Sequence, residues 1–101
     1  MRLRYSPEAR EDLRNLRQYI AVELCNPSAA DSVVESILRS CSVLKAQPDM
    51  GVSLSEKIGR DTKIQYIISG KHLAFYLVEE ECVSIIRILD SRTNYMQKIF
   101  G

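Results

Sequence analysis

The sequence predicts an α+β domain. It consists of a short N-terminal strand, a helical hairpin packed on a mostly antiparallel sheet of four to five strands, and a short C-terminal tail or helix. Three observations predict it. Two successive stretches carry apolar residues at helical spacing on one face only, so each needs a surface to cover. The β-rich runs that follow are separated by turn signals. The chain has 101 residues, 46% hydrophobic and 27% charged, a balance that suits one folded domain over residues 1–101 and argues against disorder.

Leu3 and Tyr5 make the short first strand. Ser6 can cap the helix that follows, and Pro7 fits its first position, where a missing N–H costs nothing. Glu8, Glu11 and Asp12 place negative charge near the positive end of the helix dipole. Ala9, Leu13, Leu16, Ile20 and Leu24 form one apolar stripe, and Arg10, Arg14 and Arg17 a solvated row opposite. Asn26-Pro27-Ser28 ends this helix and can cap the next, whose stripe is Ala30, Val34, Ile37, Cys41 and Leu44. Pro48 follows its end. Val52 to Ile58 reads as a strand between Gly51 and Gly59. Three further strands run from Thr62 to Ser69, Leu73 to Val78 and Cys82 to Leu89, with Ser69-Gly70 and Glu79-Glu80-Glu81 as turns. Their nearly continuous apolar character predicts a sheet covered on much of both faces. Ser91 to Phe100 reads as a helical turn or tail.

Composition excludes several classes. A net charge of +1 rules out binding to nucleic acid by bulk charge, so any basic site must be local. No apolar run approaches the roughly 20 residues that span a bilayer. The start, Met1-Arg2-Leu3-Arg4-Tyr5, has no apolar signal core, and a cytoplasmic chain is expected. Cys25, Cys41 and Cys82 are too scattered for a metal motif and read as small buried hydrophobes in a reducing compartment. With one histidine, His72, most histidine-based zinc sites fall away, and no metal or cofactor is expected. There is no phosphate-binding loop, no GxGxxG and no GxSxG.

An ordered set of residues resembles the RelE/ParE family of toxins from bacterial type II toxin–antitoxin modules, the plasmid-stabilisation type. The set begins with Tyr5-Ser6-Pro7-Glu8-Ala9, Asp12-Leu13 and Tyr19-Ile20. It continues through Leu44, Gln47-Pro48 and Gly51, then Ile68-Ser69-Gly70-Lys71 and Phe75-Tyr76. It closes with Val83, Ile85 to Leu89, Arg92, Tyr95 and Phe100, and so covers nearly the whole chain. The resemblance implies a sheet with a helical hairpin and a small cognate antitoxin that wraps and neutralises the toxin. It also implies one of two actions: ParE-like inhibition of DNA gyrase, or RelE-like cleavage of mRNA on the ribosome. Fold alone does not choose between them.

Cleavage by 2′-OH attack needs a proton acceptor, charge stabilisation and protonation of the leaving oxygen. The candidates for a nuclease are Arg92, as a phosphate-binding fork, and Tyr95, as a base-stacking or orienting group; the alternative is a surface cation and a tyrosine packed on the sheet. Arg87 lies in an apolar strand. By strict alternation it shares its face with Ile85 and Leu89, while Ile86 and Ile88 point the other way. It is either a target-binding cation or the partner of a nearby Asp or Glu. His72 suits proton transfer but, beside a turn, is also an ordinary surface residue. Arg60, Lys63 and Lys71 are candidate target-binding cations, either converging with Arg92 or scattered in solvent.

Gln65 is a fifth target-facing candidate and also a departure, since family members often carry Arg at the matching place and glutamine cannot neutralise phosphate. Asp90 beside Arg92 departs likewise and repels phosphate unless paired. These departures and the near-zero charge favour gyrase inhibition over RNA cleavage. A non-toxic binding module of the same fold, taking a partner by strand addition or in a helix groove, is a further reading. Tyr19, Val22 and Leu24 are the candidates for antitoxin contact, or simply cap the core.

Overall fold

The computed structural model describes residues 1–101. The chain runs β1 (Arg2–Tyr5), α1 (Pro7–Gln18), a π-helical turn (Tyr19–Glu23), α2 (Pro27–Ser42) and a 3₁₀ turn (Val43–Lys45). It continues with β2 (Val52–Ser53), α3 (Leu54–Ile58), β3 (Gln65–Ser69), β4 (His72–Val78), β5 (Cys82–Asp90) and α4 (Tyr95–Phe100). One sheet has the order β1-β5-β4-β3-β2. Only the β1–β5 pair is parallel. The others are antiparallel, so the expected mostly antiparallel α+β architecture is present.

Local chemistry starts both hairpin helices as expected. Ser6 Oγ accepts from Ala9 N at 3.0 Å, and Pro7 opens α1. The same hydroxyl donates to the Ile86 carbonyl at 2.9 Å, so the cap also ties the helix start to β5. Asn26 caps α2 through Ala29 N at 3.2 Å, with Pro27 at its first position.

The sheet is covered on both faces. On one, Ala9 of α1 and Ile37 and Cys41 of α2 pack with Ile67, Ala74, Tyr76, Val83, Ile85 and Ile88. On the other, Leu54, Ile64, Tyr66, Leu73, Phe75 and Leu89 lie beneath Ile58 of α3 and Tyr95, Ile99 and Phe100 of α4. The hairpin therefore does not exhaust the apolar surface of the strands, and the second layer is made by two helices of one or two turns.

Four expectations are corrected. Val52 to Ile58 is not one strand: after Ser53 it coils into α3, because Leu54 and Ile58, four apart, both reach the second core, and Gly59 at φ 66° ends the turn. Leu24 leaves the α1 stripe: the π-helical turn holds the chain out of 3.6-residue phase, and Leu24 is exposed. Cys25 is exposed, with φ 52°, in the tight link between that turn and α2; Cys82 is only partly covered, so only Cys41 is a buried thiol. Strict alternation in β5 fails at a β-bulge. Phe75 pairs with Arg87 but Tyr76 pairs with Ile85, which leaves Ile86 extra. Ile85 and Ile88 consequently share the hairpin-side core, while Ile86 packs with Leu89 on the other side.

Candidate functional site

A groove of about 660 Å³ opens between the helical hairpin and the strand ends. Leu16, Tyr19, Ile20 and Leu24 form one wall with Val33, Ser32 and Ser36 of α2. The β3–β4 turn (Ser69, Gly70, Lys71), His72, Asp90 and Arg92 form the other. Gly70 takes φ 59°, a left-handed turn position that suits glycine. Ser91 N donates to the Lys71 carbonyl at 2.8 Å, so the turn is fixed against the end of β5.

The electrostatics of the strand wall follow from these positions. Arg92 donates from its backbone N at 2.8 Å and from Nε at 3.1 Å to Asp90 Oδ1, and from Nη2 at 3.1 Å to Oδ2. Those bonds hold the Asp90 carboxyl down at about 2. His72 sits across the strands from Ser69 and Asp90. Burial lowers its pKa, Asp90 opposes that shift, and Arg92 and Lys71 add to it. The imidazole is neutral near pH 7.

The structure brings together Tyr19, Leu24, Lys71, His72 and Arg92. Val22 lies beside them, lining a shallower pocket with Tyr19. Tyr19, Val22 and Leu24 are 50%, 64% and 55% exposed, three large apolar side chains turned outward by the π-helical turn. Arg92 and Tyr95, in contrast, are parted. Arg92 faces the groove, while Tyr95 packs on the opposite layer, its ring 5.5 Å from that of Phe75 and beneath the Lys57 ammonium.

The remaining candidates lie elsewhere. Arg60 stacks over the Phe100 ring at 4.5 Å, on the second layer. Lys63 is exposed ahead of β3. Gln65 Oε1 accepts from the buried Tyr76 hydroxyl at 2.9 Å, inside the fold. Arg87 binds both carboxylate oxygens of Asp12 and also donates from Nη1 to the Lys98 carbonyl.

Asp12 and Tyr76 are the organising residues that sequence reasoning did not single out. Asp12 lies three after Ala9 and four before Leu16, on the margin of the apolar stripe, which is the signal of a half-buried acid needing a cation. A tyrosine in an apolar strand likewise needs a partner for its hydroxyl.

Comparisons with known proteins agree with this architecture. The sequence model of the ParE toxin of type II toxin–antitoxin system, parDE, matches residues 3–95. A solved structure described as the chromosomal ParDE TA system from P. aeruginosa superposes with a TM-score of 0.75 at 20% identity, covering 89% of this chain and 95% of that chain. At that identity the likeness is one of fold. No curated protein matches the chain. No helix is long and apolar enough to cross a membrane.

Proposed function

The chain belongs to the ParE toxin family of type II toxin–antitoxin systems, and we propose that it arrests growth by inhibiting DNA gyrase and is neutralised by a small cognate antitoxin seated on Tyr19, Val22 and Leu24. The observation that carries the gyrase reading is the parting of Arg92 and Tyr95. Cleavage by 2′-OH attack needs its groups within hydrogen-bond reach of one phosphodiester. Here one candidate is tied to Asp90 at the groove and the other is packed against Phe75 on the far side of the sheet. The overall charge of +1 also provides no broad basic surface for ribosomal RNA.

Target contact falls on the exposed cations Arg60, Lys63 and Lys71, the last of which an antitoxin seated in the groove covers, since Arg87 and Gln65 are engaged within the fold. Antitoxin contact is supported by the three outward apolar side chains beside a groove, a patch of the kind that marks protein partners. The test is supercoiling of relaxed plasmid by purified gyrase. The toxin inhibits it and the antitoxin restores it. Unimpaired gyrase together with cleavage of ribosome-bound mRNA establishes the nuclease instead.

A further inference from the structure

We propose that the Lys71–His72–Arg92 end of the groove anchors a carboxylate of the antitoxin, and that His72 takes up a proton as the complex forms. This rests on the reading of the groove as the antitoxin surface.

The two walls differ in chemistry. The hairpin wall offers Leu16, Ile20 and Val33 with the hydroxyls of Ser32 and Ser36, and Tyr19 is its one titratable group. The strand wall carries every charge that faces the groove. Asp90 is consumed by Arg92, so Lys71 is the surplus cation beside a half-buried imidazole. An amphipathic segment that lays its apolar side on the hairpin therefore presents its polar side to Lys71, His72 and Arg92, and an acidic group there is the complementary one.

In the free toxin burial keeps His72 neutral near pH 7. An uncharged occupant buries the imidazole further and leaves it neutral. A carboxylate reverses the balance and raises its pKa, because opposite charge favours the protonated form. Between the free and bound pKa values, binding takes up a proton. The association constant then rises as pH falls, by at most about tenfold per pH unit for a single group.

The experiment is titration calorimetry of the purified toxin with the separately purified cognate antitoxin, between about pH 6 and pH 8, in two buffers of different ionisation enthalpy. Hydrogen exchange is measured on the same complex. The expected result is protection of the groove, uptake of up to one proton, and affinity increasing several-fold toward the lower pH. His72→Gln abolishes the uptake, while Lys71→Gln weakens binding and retains it. A protected groove with no proton uptake overturns the anchor and leaves the antitoxin surface standing. A bound antitoxin that leaves the groove unprotected overturns both.

Discussion

Arg87 and Asp12 join the last strand to the first helix. The guanidinium donates from Nε and Nη2 to the two carboxylate oxygens, each at 2.8 Å. Asp12 Oδ2 also accepts from Ile88 N at 2.9 Å, at the stretch of β5 that lies beyond the end of β1. One carboxylate thus satisfies a backbone donor that no strand reaches and a cation seated just past the bulge. The side chains are 22% and 12% exposed. Asp12→Ala leaves the cation uncompensated and the N–H unpaired, and should cost about 3 kcal/mol. Urea unfolding checks it: the midpoint falls with an unchanged slope. Replacing both partners by apolar residues of similar size should recover much of the loss.

The Tyr76 hydroxyl is a second hub. It donates toward the Pro48 carbonyl and Gln65 Oε1 and accepts from Gly51 N, at 2.9 Å in each case. Tyr76→Phe should cost about 1–3 kcal/mol, because buried backbone groups lose their partner. A Cβ at Gly51 would overlap that hydroxyl, so Gly51→Ala is also destabilising. The two substitutions should be non-additive in a double-mutant cycle, the double variant being less destabilised than the sum.

The three thiols should separate by reactivity. Cys25, exposed at the hairpin tip, labels first with a thiol reagent in the native state, and Cys41 last. Burial holds the Cys41 thiol up at about 11 and also raises the Tyr5 phenol beside it. The raised Cys41 value gives a stability contribution that is fully present below about 9 and is lost as pH rises to about 11; that of Tyr5 is lost only above its ordinary value of 10.0. Alkaline unfolding should begin in that window, and Cys41→Ala should blunt it while opening a small cavity.

Leu24→Glu should leave folding within about 0.5 kcal/mol, since the side chain is exposed. It should leave toxicity intact and abolish rescue by the co-expressed antitoxin. Growth curves with and without the antitoxin decide it. Rescue that persists removes Leu24 from the antitoxin surface.

Much of this fold was legible because its cause is local. Ser6, Pro7 and the stripe Ala9, Leu13 and Leu16 specify α1, and Asn26-Pro27 with Ala30, Ile37 and Cys41 specify α2. What escaped depends on partners distant in sequence. The bulge at Ile86 is invisible to alternation, because one extra residue flips every later side chain without changing the composition. Val52 to Ile58 is apolar enough for a strand and turns helical only because a core waits for Leu54 and Ile58 together. Arg87 was readable as a cation in need of an acid, but which acid depended on the packing of α1 across β5. Arg92 and Tyr95, three apart in sequence, fall on opposite sides of the sheet once α4 folds back over Phe75. The groove was half legible: Tyr19 and Leu24 from their apolar character, but their meeting with Lys71 and His72 only from the topology.

Gyrase inhibition is read most directly by pulse-labelling during the first minutes of induced expression in a bacterial host. Thymidine incorporation should fall first while methionine incorporation continues, and co-expressed antitoxin should restore it. An immediate fall in methionine incorporation with DNA synthesis continuing would contradict gyrase inhibition and return Arg92 and Tyr95 to the centre of the chemistry.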